Sequence, residues 1–140
     1  MRAAAGGGSV IRMFKAPALR DNRDMDTVLI ADDHAGFRQS AGRLLEAEGY
    51  EVVGEAADGA SAVREARRLR PDLVLLDVQL PDADGFDVAA RICDGDGAPA
   101  VILTSSRDWS DSQALIRRSG ARGFVPKSKL SGEALAGLLG

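Results

Sequence analysis

The sequence predicts an α/β fold of the doubly wound type, a parallel sheet with helices on both faces. Three observations carry that expectation. Two apolar tetrads, Val28–Ala31 and Leu73–Leu76, read as strands buried on both faces, as parallel strands covered by helices are. Each tetrad ends in acid, Asp32-Asp33 in one case and Asp77 in the other. From Thr27 onward, strand-like and helix-like stretches alternate five times with short connections, which predicts consecutive βα units.

The elements follow in order. The first strand, 28–31, is wholly apolar. The first helix, 35–48, sets Phe37, Ala41, Leu44, Leu45 and Glu48 near an i, i+4, i+7, i+8 spacing with an acidic end, and Gly49 supplies its C-cap. A second strand at 51–56 leads to a helix at 59–70, which turns Ala62, Val63, Ala66 and Leu69 inward and stops before Pro71. The third strand is 73–77. The third helix, 85–94, aligns Phe86, Ala89, Ala90 and Cys93, so that Cys93 reads as a buried thiol. The fourth strand, 100–104, opens into Thr104-Ser105-Ser106 ahead of a helix at 109–119. Trp109, in the loop after that strand, either packs over the loop or faces a partner. The fifth strand, 122–125, runs into Pro126-Lys127, and a short helix at 131–139 offers Ala134, Leu135, Leu138 and Leu139.

Composition sets bounds on function. A chain of 140 residues is long enough for one domain with a sizeable core. Residues 1–26 hold a Gly6-Gly7-Gly8-Ser9 tract, five basic and three acidic residues and little pattern, and read as a disordered arm before a domain at 27–140. The remainder carries 13 basic and 18 acidic residues, a balance of −5 that argues against nucleic-acid binding by this chain alone. No apolar run approaches the ~20 residues of a membrane span. A lone cysteine permits no disulfide within the chain, which fits a reducing cytoplasm.

In open α/β sheets, ligand sites lie outside the carboxyl ends of the strands. Asp32, Asp33 and Asp77 all fall there. If their strands are neighbours, ~4.8 Å apart, the charges converge. Unit charges at ~4 Å repel by about 4 kcal/mol at an effective dielectric of about 20. Such a trio needs a cation or retained protons, and oxygen ligands without a His or Cys cluster favour a hard ion, Mg²⁺ first. Thr104 and Lys127 also fall at carboxyl ends, where a hydroxyl donor and an ammonium suit an anion. Together these groups describe phosphoryl transfer to Asp77 as nucleophile. Asp32 and Asp33 could instead be a helix N-cap pair, a reading that Asp77 and Lys127 disfavour. His34 reads as an exposed neighbour, Asp82 and Asp84 as turn residues, and Arg64, Arg67, Arg68 and Arg70 as a solvated helix face.

Residues 27–140 resemble the receiver (CheY-like) domain of bacterial two-component response regulators. The resemblance rests on Ile30-Ala31-Asp32-Asp33-His34, Leu75-Leu76-Asp77-Val78-Gln79-Leu80-Pro81-Asp82-Ala83-Asp84-Gly85, Ile102-Leu103-Thr104-Ser105 and Gly123-Phe124-Val125-Pro126-Lys127, in that order. It implies a flavodoxin-like (βα)5 three-layer sandwich with a five-stranded parallel sheet of order 2-1-3-4-5. It further implies that Asp77 accepts a phosphoryl group from a histidine kinase or histidine phosphotransfer protein. Mg²⁺ would be held by Asp32, Asp33, Asp77 and the backbone carbonyl of Gln79. Thr104 would move toward the acyl phosphate, Phe124 would follow, and Lys127 would pair with the phosphate. The surface of the fourth helix, fifth strand and fifth helix would report the state to a downstream protein target, and a homodimer through that face is a family expectation.

Two departures matter. Phe124 lacks the hydroxyl that a tyrosine would bring to the switch. Gln79 and Ser106 place no carboxylate where the family's members influence attack of water, so a phosphorylated state that is not short-lived is expected. After Lys127 only 13 residues follow, Ser128 to Gly140. That predicts a stand-alone receiver or a piece of a larger regulator. Two other functions compete: a phosphohydrolase working through an aspartyl phosphate, which wants an acid where Gln79 stands, and an interaction module that is never phosphorylated.

Overall fold

In the computed structural model, which describes residues 26–139, strands and helices alternate as β1 (Thr27–Ala31), α1 (Ala35–Ala47), β2 (Glu51–Ala56), α2 (Gly59–Leu69), β3 (Leu73–Asp77), α3 (Gly85–Cys93), β4 (Ala100–Ser105), α4 (Gln113–Arg118), β5 (Gly123–Pro126) and α5 (Gly132–Leu139). A 3-10 turn over Lys127–Lys129 joins the last two. The strands form one sheet in the order β2-β1-β3-β4-β5, every pair parallel. This is the expected flavodoxin-like arrangement. The arm expected over 1–26 lies outside the described residues apart from Asp26, whose carbonyl accepts from the Glu51 N–H at 2.8 Å.

The sheet divides the core in two, because successive side chains of a strand point to opposite faces. Leu29, Ala31, Val74, Leu76, Val101 and Leu103 pack against α2 and α3. Val28, Ile30, Leu73, Leu75, Ile102 and Val125 pack against α1 and α5, through Ala41, Leu45 and Leu135. All five residues of β3 are buried. A strand with no solvent face has no alternation to show, which is why it reads as an unbroken apolar run.

Helix ends follow local chemistry. Gly49, at φ +99°, follows the last turn of α1. Arg70 closes α2 in the left-handed region at φ 50°, one residue before Pro71 bars continuation. At the other end of α2, the Asp58 carboxylate accepts from the Ser61 N–H at 2.8 Å.

Three expectations are corrected. The inward stripe of α3 is Phe86, Val88, Ala89 and Ile92, while Ala90 is exposed and Cys93 only partly buried. The larger side chains Val88 and Ile92 rotate the helix by about one position relative to an alanine-based stripe. The fourth helix begins at Gln113. Ahead of it, the Asp108 carboxylate accepts from the Ser110 N–H at 2.8 Å and also meets the Ser110 hydroxyl, and this side-chain turn competes with the helical start. The fifth strand is shifted one residue on, to Gly123–Pro126.

Candidate functional site

Four of the residues singled out by the sequence stand at the carboxyl ends of four strands, on one face of the sheet. Each lies two positions beyond a core residue of the α1/α5 side: Ile30 then Asp32, Leu75 then Asp77, Ile102 then Thr104, Val125 then Lys127. With a side-chain period of two, the register that buries the core brings these polar groups together. β1 pairs directly with β3, and Asp77 pairs with Thr104 across β3 and β4.

Asp32 is fully buried and Asp77 is 3% exposed. Between them sits the Lys127 ammonium, 2.6 Å from Asp32 Oδ2 and 3.5 Å from Asp77 Oδ2. The same Nζ lies 4.4 Å from the centre of the Phe37 ring. The cation is thus held by two carboxylates and an aromatic face. Burial pushes the Asp77 carboxyl up to about 6, and the neighbouring Asp32 adds to the rise. The Gln79 N–H, donating to Asp77 Oδ1 at 3.2 Å, and Lys127 pull the other way. The rise is what two acids at one low-dielectric site with a single ammonium should show.

Asp33 stands at the mouth with its side chain 37% exposed. The His34 imidazole, 70% exposed, places Nδ1 3.2 Å from Asp32 Oδ1 and 3.0 Å from Asp33 Oδ1. His34 is therefore exposed, as expected, yet it touches both acids. Ligand atoms of Asp32, Asp33, His34 and Asp77 all lie within 4.8 Å of one another. The Thr104 hydroxyl is buried without a hydrogen-bond partner. Such a hydroxyl costs free energy until an acceptor arrives. The donor set fits a divalent cation, and the orphaned hydroxyl fits an oxygen-rich group beside it.

Phe124 is placed differently. It is partly buried on the other side of the sheet, in the cluster that holds Phe86, Ile116 and Trp109. Trp109 packs edge-on against Phe86 with centroids 5.4 Å apart, and Arg107 lies 5.3 Å from the centre of the Trp109 ring. Its indole therefore covers the loop after β4.

Some contacts were not foreseen. Arg38 donates through Nη1 to the Asp32 carbonyl at 2.6 Å and through Nε to Glu55 Oε1 at 2.7 Å, tying the acid-bearing turn to β2. One arginine in a helix carries no sequence signal for that. Asp82 receives the Gly59 and Ala60 N–H groups at 2.6 and 3.0 Å, and Asp84 receives the Phe86 N–H at 2.7 Å. These acids are helix caps as well as turn residues. The Asp-Gly pairs Asp58-Gly59 and Asp84-Gly85 were the available hint.

The comparisons agree with this fold. The family model described as response regulator receiver domain matches residues 28–136. Over 102 residues the chain is 44% identical to the transcriptional regulatory protein PdtaR of Mycobacterium tuberculosis, covering 71% of this chain and 48% of that protein. The chain thus spans about half the length of this curated relative. The receiver domain of the putative response regulator NarL from M. tuberculosis superposes with a TM-score of 0.73 at 32% identity, covering 84% of this chain and 98% of that one. The CheX–CheY–BeF3–Mg²⁺ complex from Borrelia burgdorferi gives 0.72 at 26% identity, with coverage of 81% and 86%. By sequence, topology and site geometry together, the chain belongs to the response regulator receiver domain family of two-component signalling.

Proposed function

We propose that Asp77 is the phosphoacceptor of this receiver. The observation that carries the reading is the pairing of a buried Asp77 with Asp32 across one ammonium, beside a buried hydroxyl that lacks a partner. In the reaction an Asp77 carboxylate oxygen attacks the phosphorus of a phosphohistidine on a histidine kinase or phosphotransfer protein. A P–O bond forms, the P–N bond breaks, and the imidazole leaves with a proton. Asp32, Asp33, Asp77 and the backbone carbonyl of Gln79 would hold Mg²⁺. The ion supplies charge neutralisation for the incoming phosphoryl oxygens. Lys127, released from sharing two carboxylates, pairs with the phosphoryl group, and the Thr104 hydroxyl donates to it.

Modification then acts through packing. Movement of Thr104 along β4 lets Phe124 shift from β5, and the change reaches the α4–β5–α5 surface, where Leu115 is exposed. A downstream protein, or a second copy of the chain, would read that surface. No helix among the described residues is long and apolar enough to cross a membrane, and a cytoplasmic site of action belongs to the same proposal. With Gln79 two residues after Asp77, no acid is placed there to activate water, so the reading is a switch and not a turnover enzyme.

The test is incubation with Mg²⁺ and acetyl phosphate or phosphoramidate, followed by intact-mass and peptide analysis. One hydroxylamine-sensitive phosphoryl group per chain on Asp77, absent from Asp77→Asn and persisting longer than seconds, is the expected result. Continuous phosphate release would support a phosphohydrolase, and no modification a bare interaction module.

A further inference from the structure

We propose that His34 is a nitrogen ligand of the metal site, so that the pocket discriminates among divalent ions by more than oxygen chemistry. The inference rests on the reading of the acidic pocket as a divalent-ion site and asks which ion it prefers. His34 is held beside the acids: its Nδ1 lies within hydrogen-bond distance of Asp32 Oδ1 at 3.2 Å, and its backbone N–H donates to the same oxygen at 2.8 Å. It is the N-cap residue of α1, yet its side chain makes no capping hydrogen bond and is 70% exposed. Its ring still converges on the two acids instead of extending into solvent.

The distances suit shared coordination. Two ligand atoms at adjacent corners of an octahedron with ~2.1 Å bonds lie about 3.0 Å apart. His34 Nδ1 is 3.0 Å from Asp33 Oδ1 and 3.2 Å from Asp32 Oδ1, so the nitrogen stands at the spacing of adjacent corners from each of these oxygens. Asp77 completes the group within the same 4.8 Å span. A second observation points to a ligand here. Thr104, in register with Asp77 and fully buried, keeps an unpartnered hydroxyl at this end of the sheet.

An imidazole changes the preference of the site. Magnesium binds oxygen and gains little from nitrogen, whereas first-row ions such as Mn²⁺, Co²⁺ and Zn²⁺ accept imidazole readily, with affinity rising along the series toward copper. A pocket of three carboxylates with one imidazole therefore favours these ions over magnesium more strongly than carboxylates alone would.

The experiment uses the full chain, freed of any histidine tag, with Co²⁺ and Mg²⁺ titrated separately into wild type and His34→Ala by calorimetry. Co²⁺ absorption spectra and paramagnetic broadening of the His34 ring protons are recorded alongside. Removing even an outer partner of a metal ligand typically weakens binding about 10- to 100-fold. The ratio of the Co²⁺ to the Mg²⁺ dissociation constant should accordingly rise at least about tenfold in the variant. The wild-type Co²⁺ spectrum should show a nitrogen donor that the variant lacks. An unchanged ratio, or ring protons left sharp in the cobalt-loaded wild type, overturns the proposal. Phosphoryl labelling of wild type with Mg²⁺ is scored separately, so loss of the metal preference alone leaves the assignment of Asp77 standing. Because the His34 ring is exposed and caps nothing, circular dichroism should show an intact fold in the variant.

Discussion

At the scale of single residues, the pocket has a pH signature. Asp77 is raised from an ordinary 3.8 to about 6, chiefly by burial. A carboxyl whose pKa is higher folded than unfolded makes the native state hold the extra proton between those values. Stability from this group is therefore largest in acid and declines as pH climbs from about 4 to about 6. Above that range the full penalty persists. At about 1.36 kcal/mol per unit, Asp77 destabilises the ion-free protein at neutral pH by on the order of 3 kcal/mol. Asp77→Asn should recover much of that at pH 7 and little at pH 4, read by urea unfolding in buffer free of divalent ions. Added Mg²⁺ should shrink the difference, because an ion bound to the native state stabilises it and favours the ionised carboxylates. A variant no more stable at pH 7 than wild type would mean that Asp77 is not strained by its neighbours. Much of this pocket was legible in the sequence. Asp32, Asp77, Thr104 and Lys127 each announce themselves by ending an apolar run. Phe37 did not: its spacing on α1 marks it as core, and nothing in a linear pattern says that its face receives an ammonium.

At the scale of elements, the loop between β3 and α3 is built around one close approach. A Cβ added at Gly85 would lie 2.3 Å from the Asp77 carbonyl oxygen and 2.5 Å from Val78 Cα. Both are backbone atoms, and the Gly85 N–H also donates to the Val78 carbonyl at 2.6 Å. The start of α3 is thus laid against the end of the strand that carries Asp77. Gly85→Ala has no flexible side chain to push aside. It should cost about 3 kcal/mol, measured by chemical denaturation, and should weaken phosphoryl labelling by moving the Asp77 carboxylate. Full stability in Gly85→Ala would show the loop to be looser than its packing implies. Asp82 fastens the same loop to the first turn of α2, where backbone N–H groups hold its carboxyl below the usual carboxylate range. The sequence made Gly85 and Pro81 visible as turn formers, but the tie from Asp82 to α2 spans 23 residues and has no local trace. Similarly, Trp109 followed by a polar, helix-compatible stretch suggested an earlier start to α4. Asp108 and Ser110 prevail there because their side chains satisfy the backbone outside a helix.

At the scale of the whole molecule, the two faces of the sheet divide the work. The carboxylates, Lys127 and Thr104 lie at the end of the α1/α5 face, whereas Phe124, Phe86 and Trp109 belong to the cluster on the other. Thr104 and Phe124 sit on adjacent strands, with Thr104 paired to Val125 and Leu103 to Phe124. Under the proposed switch, a pull on the Thr104 hydroxyl at one face would reach the second core through a single pair of strands. This coupling needs no long-range wire, only a backbone shift shared by β4 and β5. Because the chain has one tryptophan, placed in that cluster, its fluorescence reports the second core directly. Phosphorylation at Asp77, or loading with Mg²⁺ and beryllofluoride, should change Trp109 emission as its packing on Phe86 alters. Thr104→Val separates cause from stability. It removes a buried hydroxyl that has no partner, so the unmodified variant should match or exceed wild type by up to about 1 kcal/mol. Yet it should accept phosphate without the full emission change. If Thr104→Val keeps the wild-type emission change at equal labelling, the signal does not pass through that hydroxyl. The two faces must then be linked by another path, with the β3–α3 loop, fastened to α2 through Asp82, the next place to look.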